Sequence, residues 1–446
     1  MAAGRGYFEG FSKAAAFWDV GLPGSKAYSG AATPHTRMVA RFSLYGFLKN
    51  LRFFEAFLIL ALRERGLDFL GIGALIAVRE IAGNLTQIPS GALADALGRR
   101  RCMVVSMAGY VVSYLVLGMS TNNILLIVGM MLFGTADAFR DGTHKALIYA
   151  WLRQQGREGE RTRIYGYTRS WSKIGSALSS LIAATLVIFT GSFSSVFLLS
   201  AIPAALNLIN LATYPAALDA GIPGNGGIRE TWRNVLDSLR EVIGKASIRR
   251  LVADSVAVEG SYTVVKDYLQ VVVQALAVAL PVRLAMTGDQ RTAVLGGLAY
   301  AVLHVLSSVA SRRAHLFEIR CGGTEAAVLR IYQLSAGAMV VLAVCLVCGL
   351  GGLAVVVFIM LGLLQNLWRP IHVGRFDRDG DERRAATLLS IESQASSIAA
   401  ALWAPLIGWL IDNLTSGERV AALSALWPVC LAGLPMLVVW RRVRTA

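Results

Sequence analysis

The feature that most constrains this chain is the regular return of apolar segments long enough to cross a lipid bilayer. A helix needs about 20 predominantly apolar residues to cross roughly 30 Å of hydrocarbon. Because 55% of the residues are hydrophobic and only 16% are charged, the composition excludes a soluble globular chain and indicates an all-α membrane protein. The apolar runs predict twelve transmembrane helices, at residues 40–62, 69–96, 102–120, 123–150, 164–190, 193–214, 250–280, 292–314, 325–349, 351–374, 386–412 and 420–440.

The basic residues predict how these segments are oriented. The net charge is +15, and Lys and Arg concentrate at both ends of the chain and in alternate loops. The opposite loops hold only Arg63, Arg65, Arg283, Arg291 and Arg419. By the positive-inside rule we expect both termini in the cytoplasm. A nucleic-acid partner is not expected, because it would require the basic residues on one soluble face.

The long polar break at 215–249 predicts a division into two halves. We expect a cytoplasmic N-terminal tail at 1–36, a six-helix bundle at 37–215, a cytoplasmic linker with an amphipathic helix at 216–249, and a second six-helix bundle at 250–446. A weak repeat supports this division, since Glu160-Arg161 and Glu382-Arg383 precede Ser-rich apolar segments at similar places in each half. Two pseudo-symmetric bundles are typical of transporters, whose substrate site lies where the halves meet.

A polar run at 91–101 lies between the second and third segments. Gly91 and Gly98 permit close backbone approach, and Asp95 offers a carboxylate to amides at a helix N-terminus. The run resembles the loop between helices 2 and 3 of the major facilitator superfamily, with the pattern G-x-L-A-D-x-x-G-R-[KR]. The resemblance implies that fold, together with a latch in which Asp95, Arg99 and Arg100 hold the start of the eleventh helix in the other half.

A second resemblance bears on the direction of transport. The runs Asn50-Leu51-Arg52-Phe53-Phe54-Glu55 and Ile88-Pro89-Ser90-Gly91, with Phe139 to Trp151, look like those of bacterial facilitators assigned loosely to efflux. This resemblance slightly favours export and implies a chain integral to the inner membrane of a bacterium. Drug–proton antiporters of the superfamily often carry G-P-x-x-G-G in the fifth helix. Here that helix reads Lys173-Ile174-Gly175-Ser176, so membership of that subgroup is not indicated.

The fourth segment carries an unusual set of ionisable residues. Asp137, Arg140, Asp141 and His144 follow the spacing i, i+3, i+4, i+7, which predicts one helix face. Each would cost several kcal/mol in hydrocarbon, so the set must face protein or a wet cavity. Two interpretations remain open: an ion-pair ladder that holds the first bundle together, or the lining of a transport cavity or proton relay.

Other ionisable residues fall within the predicted spans, with basic and acidic groups in balance, so they do not predict the charge of a substrate. They include Arg52, Glu55, Arg79, Glu80, Arg169, Lys173, Asp254, Glu259, Lys266, Asp267, Arg369 and Glu392. Asp137, Asp141 and Glu55 each have an arginine one turn away, which indicates structural or gating pairs. Glu259 and Glu80 lie among Tyr, Asn or Gln, so we predict them as proton carriers, Glu259 first.

Together these patterns predict a secondary transporter that moves a small solute by alternating access, coupled to protons, as a monomer without a cofactor. Two alternatives remain open. A metal-ion transporter of the same fold is hinted at only by His144 near Asp137 and Asp141. A non-transporting membrane scaffold or assembly protein is the other, against which the many intramembrane charges argue. The sequence has no nucleophile–base or phosphate-binding motif, so we predict neither an enzyme nor catalytic or metal-ligating residues.

Overall fold

The computed structural model describes residues 34–120, 122–141, 143–157, 160–219, 244–279, 286–376, 382–415 and 422–437. Within these ranges the chain is helical and forms no strand. The predicted tail, apart from its last residues, and the predicted amphipathic helix of the linker lie outside the described residues. We number the helices α1 to α12 after the predicted spans.

In the first half, four helices are continuous: α2 (Phe69–Leu97), α3 (Arg99–Met119), α5 (Arg161–Thr190) and α6 (Ser195–Ala212). The other two are interrupted. Helix α1 consists of Pro34–Lys49 and Leu58–Glu64, separated by a short 3-10 turn at Phe53–Ala56. Helix α4 consists of Asn123–Arg140 and Thr143–Gln154. Because α1 begins at Pro34, the first bundle starts before the predicted boundary at residue 37.

In the second half, α8 (Gly288–Arg312), α9 (Thr324–Val347), α10 (Gly351–Phe376) and α11 (Glu382–Thr415) are continuous. A short helix, Ala314–Arg320, links α8 to α9. Helix α7 changes its winding repeatedly, through Ala246–Ser255, a π turn at Val256–Gly260, Ser261–Val265, a 3-10 turn at Lys266–Tyr268, and Leu269–Ala279. Helix α12 contains the 3-10 helix Leu423–Gly433.

Nine helices of the described chain are long and apolar enough to cross a membrane. They are α2 to α6 and α8 to α11. The interrupted α1, the irregular α7 and the short α12 correspond to the other three predicted spans. The predicted fold class, an all-α membrane protein with transmembrane helices in two halves, is confirmed. Many of these membrane-length helices expose Leu, Ile and Val side chains. Leu85, for example, is 73% exposed and Leu402 is 70% exposed.

Small residues set the closest helix contacts in each half. A Cβ at Gly134 of α4 would lie 2.2 Å from the carbonyl oxygen of Arg79 on α2, so these helices touch backbone to backbone. In the core beside them, the Phe54 ring stacks on Phe197 at 5.4 Å and meets Phe133 edge-on at 5.6 Å. The aromatic core therefore joins α1, α4 and α6 and supports the polar residues described next.

Candidate functional site

The interruption of α1 brings basic side chains into the middle of the molecule. The Asn50 side chain donates to the carbonyl of Gly46 at 2.7 Å and accepts from Ser176 of α5 at 3.3 Å. These contacts hold the chain where the first part of α1 ends at Lys49. Lys49 is therefore the last residue of the first part of α1. The turn that follows directs Arg52 toward α3 and α4.

Arg52 joins a cluster around one carboxylate oxygen of Asp137. Arg52 Nη2 lies 3.2 Å and Arg140 Nη2 lies 2.5 Å from Asp137 Oδ1, and the Tyr110 hydroxyl donates to the same oxygen. Arg52 also contacts Tyr110 Oη at 2.8 Å and Glu55 Oε1 at 3.2 Å. The predicted pairing of Asp137 and Glu55 with nearby arginines is observed, and the pairs connect α1, α3 and α4.

The carboxylates of this cluster remain open to solvent although they lie deep in the protein. The side chains of Asp137 and Glu55 are 40% and 52% exposed, whereas those of Arg52 and Arg140 are 13% exposed. The Arg52 guanidinium is further covered by the ring of Phe133, 5.2 Å from its centroid. A buried cation with aromatic cover beside an accessible carboxylate indicates the wall of a polar cavity.

The structure divides the predicted stripe on α4. The helix stops after Arg140, and Asp141 has extended backbone angles of φ −65° and ψ 134°. The glycine at position 142 has a low helix propensity, which favours an interruption there. Asp141 is exposed, whereas His144 is stacked on the Tyr45 ring with centroids 3.9 Å apart. His144 therefore belongs to the packed interior of the first half and does not continue the face of Asp137.

Two further predicted residues of the first half have different environments. Glu80 pairs with its sequence neighbour Arg79 at 2.8 Å, so the expectation that it is surrounded only by neutral polar groups is not met. Neighbouring residues on a helix do not face each other, so periodicity alone does not predict this pair. Arg169 lies exposed on α5. No group of three His, Cys, Asp or Glu side chains suited to a metal ion occurs among the described residues.

A second cluster lies between α7, α10 and α11. Glu392 is fully buried, and its Oε1 accepts from Arg369 Nη1 at 2.5 Å and from the Ser255 hydroxyl. Its Oε2 has no hydrogen-bond partner among the residues that the structure describes. Ser396 also donates to Ser255, at 3.4 Å. The Arg369 side chain is 31% exposed, so this pair reaches from the packed interior toward the cavity.

Glu259 lies one turn after Ser255, in the π turn of α7. Its Oε2 accepts from the Gln365 amide at 2.8 Å, and the described part of the chain offers it no ion pair. Arg369 is within electrostatic range but is engaged by Glu392. Glu259 is thus a carboxylate bonded to a neutral amide near an occupied arginine.

The two clusters face each other across the halves. Glu55 of α1 is within electrostatic range of Lys266 on α7. Asp267 of α7 is within electrostatic range of Arg79 on α2. Ionisable groups from both halves therefore surround one space. The predicted cavity residues Asp137, Glu55 and Glu259 lie near this space, whereas His144 lies apart from it.

The halves close against each other at one end of this space. Asp412, at the end of α11, accepts from the backbone amides of Phe69 at 3.0 Å and Leu70 at 2.6 Å, the first residues of α2. A Cβ at Gly408 would lie 2.1 Å from the Phe69 carbonyl oxygen, and one at Gly73 would lie 2.4 Å from the Ala404 carbonyl oxygen. Helices α2 and α11 therefore cross in backbone contact.

Amide side chains add two more bridges between the halves. Gln270 of α7 accepts from the Ile59 amide at 2.9 Å and donates to the Glu55 carbonyl at 3.1 Å, both on α1. Gln290 of α8 donates to the Ile188 carbonyl of α5 at 3.3 Å. Both side chains bond main-chain groups, so these hydrogen bonds do not depend on the side chain of the partner residue. They hold the same end of the molecule closed.

The predicted latch lies at the opposite end. Gly98 has a φ of 101° and forms the sharp turn between α2 and α3, where an L side chain would be strained. A Cβ at Gly91 would meet nothing within 4 Å, so the close approach expected there is not made in this conformation. The side chain of Asp95 lies outside the described residues. Arg99 and Arg100 approach carbonyls of their own half, at Ala146 (3.5 Å) and Ala212 (3.0 Å).

Sequence reasoning missed several residues of the site. Asp412 and Gln270 join the halves, Gln365 binds Glu259, and Lys49 lies beside Arg52. The signal was available for Gln270 and Asp412, since each is a polar residue within an apolar span. Their partners could not be predicted, because main-chain amides and carbonyls occur at almost every position of a sequence.

Comparison with known proteins agrees with this architecture. The family model of the Major Facilitator Superfamily matches residues 40–376. The match to the solved structure of the nucleoside transporter NupG covers 92% of this chain and 98% of the NupG chain, at 13% identity and a TM-score of 0.71. A POT family transporter in complex with 5-aminolevulinic acid covers 94% and 98% at 11% identity and a TM-score of 0.68. A D-xylose-proton symporter covers 91% and 96% at 13% identity and a TM-score of 0.63.

No curated protein sequence matches the chain. The likeness to the solved structures shows the fold alone, because their identities are low. The family match is stronger evidence, since it extends over most of the chain and includes the turn at Gly98. The chain therefore belongs to the major facilitator superfamily and is a membrane transporter rather than an enzyme.

Proposed function

We propose that this protein is a secondary active transporter that moves a small solute by alternating access, coupled to protons, with export favoured. The observation that carries the proposal is the asymmetry of the contact between the halves. Asp412, Gln270 and Gln290 join them at one end, while carboxylates in the interior remain accessible. A cavity closed at one end and lined by both halves is what alternating access requires.

The proposed orientation defines which side this cavity serves. With both termini in the cytoplasm of a bacterium, the closed end at Asp412 faces outward, and the cavity opens to the cytoplasm. The turn at Gly98, with the latch proposed for Asp95, would then close the inner end in the alternate conformation. We propose that the protein works as a monomer in the inner membrane, because one chain supplies both walls of the cavity.

Glu259 is the proposed proton carrier. A carboxylate that must gain and lose a proton cannot remain bound to a cation, since the cation stabilises the charged form. Asp137 is held by two arginines and Glu80 by one, whereas Glu259 is bonded to the neutral Gln365 amide. One of the similar solved structures, the D-xylose-proton symporter, couples transport to protons. Export rests on the resemblance of residues 50–55 and 88–91 to efflux facilitators.

The test begins with a substrate screen in proteoliposomes, with and without a pH gradient. Glu259→Gln should abolish accumulation driven by the gradient and leave exchange of labelled for unlabelled substrate intact, because exchange needs no proton movement. Everted vesicles then distinguish export from uptake, since an exporter fills them when the gradient is applied.

Glu318→Gln is the matched control. Glu318 lies on the short helix between α8 and α9, away from the cavity, and should support both gradient-driven transport and exchange. Loss of both activities in Glu259→Gln, or of neither, would remove Glu259 from the role. A rate that is independent of the pH gradient in the unmodified protein would remove proton coupling altogether.

A further inference from the structure

We infer that an anionic phospholipid binds to the membrane-facing side of α9, with its phosphate at Arg330 and one acyl chain along the apolar residues that follow. The inference concerns the outer surface of the second half and does not depend on the proposed transport function. It starts from one arginine that lies inside an apolar helix of membrane length and is exposed on its surface. Hydrocarbon does not solvate a guanidinium group, so this charge needs a partner.

Arg330 forms no ion pair within the described part of the chain. It lies about 9 Å along the helix axis from the start of α9 at Thr324. The residue is exposed, and no residue that the structure describes forms a side-chain hydrogen bond with it. A long arginine side chain at this depth reaches toward the headgroups, where the phosphates lie. A lipid phosphate is therefore the partner within reach.

An apolar stripe continues from Arg330 along the same side of α9. Four exposed residues follow it at i+4, i+7, i+11 and i+14, which places them on one helix face: Leu334, Gly337, Val341 and Val344. A Cβ at Gly337 would meet nothing within 4 Å, so the glycine leaves a shallow groove between its neighbours. The opposite side of the helix is buried within the second half. An arginine above an apolar groove matches a phospholipid, in which a phosphate lies above an acyl chain.

The connection that precedes α9 adds cations at the level of the headgroups. The short helix Ala314–Arg320 leaves the Ile319 side chain 71% exposed. Three arginines are exposed beside it: Arg312, Arg313 and Arg320. Exposed apolar side chains bordered by arginines are typical of a helix that lies at the membrane surface. The cations of this connection therefore lie where lipid phosphates lie.

The acidic residues of the same surface favour an anionic lipid over a zwitterionic one, because both already have partners. Glu325, in the first turn of α9, pairs with Arg375 of α10 at 3.0 Å. Glu318 of the short helix accepts a hydrogen bond from the Thr324 hydroxyl. The described residues of this surface therefore carry a net positive charge, which repels a choline group and attracts phosphatidylglycerol. An arginine near the membrane surface favours the anionic lipid by about fivefold.

The experiment measures which lipid lies beside Leu334. The full chain, with a fluorophore on Leu334→Cys in a cysteine-free background, is placed in phosphatidylcholine liposomes. A minor fraction of the lipid is brominated in the middle of its acyl chain, as phosphatidylglycerol or as phosphatidylcholine, because bromine quenches only a fluorophore close to it. Brominated phosphatidylglycerol should reach the same quenching at about a fivefold lower fraction. Ile202→Cys on α6 is the control reporter, exposed and as far from Ala212 as Leu334 is from Thr324, on a helix without arginine. There the two lipids should quench equally.

Variants of the arginine test its role directly. Arg330→Gln should reduce the preference at Leu334 by about fivefold, whereas Arg330→Lys should keep most of it, because an ammonium group also binds phosphate. Arg153→Gln is the control. Arg153 is exposed near the end of α4 beside the exposed polar residues Gln154 and Gln155, so its loss should leave the preference at Leu334 unchanged.

Three results would overturn the inference. Equal quenching by the two lipids at Leu334, or an undiminished preference in Arg330→Gln, would show that Arg330 binds no anionic lipid. The same preference at Ile202 as at Leu334 would show a general enrichment around a basic protein. A Leu334 fluorophore that neither lipid quenches would show that a second copy of the chain or another protein covers this side of α9. None of these results bears on transport, which the proteoliposome assay tests separately.

Discussion

At the scale of single residues, the central feature is the use of one carboxylate oxygen by two arginines. Asp137 Oδ1 is bonded to Arg52, Arg140 and Tyr110, and these bonds tie three helices together. The same side chain is 40% exposed to the cavity. The two interpretations of the charges on α4, an ion-pair ladder and a cavity lining, therefore describe one arrangement. Such a residue suits a transporter, because it makes the cavity wall polar and also holds the surrounding helices together.

Asp137→Asn should destabilise the protein. The amide keeps the shape but removes the charge that balances Arg52 and Arg140, so we expect the free energy of unfolding to fall by about 1–3 kcal/mol. The midpoint of thermal unfolding in detergent is the measurement. Asp141→Asn, four residues along, is the matched control, because Asp141 is exposed and its side chain forms no hydrogen bond within the described chain. Equal midpoints for the two variants would contradict the structural role of Asp137.

At the scale of elements, interrupted helices bring ionisable residues to the cavity, and a close helix crossing closes one end of it. The interruption of α1 and the π turn of α7 bring Arg52 and Glu259 to the cavity, since irregular backbone in a membrane occurs where it lines protein or water. The crossing of α2 and α11 closes one end. It needs Gly408 and Gly73, because any Cβ there would overlap the facing backbone.

Gly408→Ala should open that end of the molecule. The added Cβ would lie 2.1 Å from a main-chain oxygen that cannot rotate away, so α2 and α11 must separate. Spin labels on Ile124→Cys and Leu414→Cys, both exposed at this end, should report a longer mean distance by electron paramagnetic resonance. Gly337→Ala in α9 is the control, since a Cβ there meets nothing within 4 Å. An unchanged distance in Gly408→Ala would show that the crossing does not govern closure.

At the scale of the whole molecule, the contacts between the halves define its conformation. The closed end holds the start of α2 and the end of α11, and the turn at Gly98 lies at the other end. The proposed orientation of this asymmetry in the membrane rests on the charge distribution. Reversal of the orientation would reverse which side the cavity serves, so topology is the first property to test.

Two single-cysteine variants in a cysteine-free background test the topology. Asn123→Cys, at the start of α4, should react with a membrane-impermeant maleimide in intact cells, because the positive-inside rule places it outside. Ser247→Cys, at the start of α7, should react only after the cells are permeabilised. Both positions are exposed, so access is limited by the membrane alone. Labelling of Ser247→Cys in intact cells would overturn the proposed orientation.

Much of the fold could be predicted from the sequence. Each span is a local property, since about 20 apolar residues in succession must cross a bilayer whatever surrounds them. The turn at Gly98 could also be predicted, because the glycine and the basic residues after it are local signals. The pairing of Asp137 with Arg140 could be predicted, since the two are one helical turn apart. These features depend on neighbours along the chain.

The remaining features were decided by tertiary structure. The first part of α1 ends at Lys49 because of Asn50 and its contact with α5. The pairing of Glu80 depends on the conformation of Arg79. The amide bonded to Glu259 comes from α10. Asp412 caps a helix in the other half through main-chain amides that every residue carries. The sequence by itself determined the helices and their apolar lengths, because bilayer burial acts on each segment separately. Only the packing of one half on the other decided which charges share a cavity, because that packing brings together residues distant in the chain.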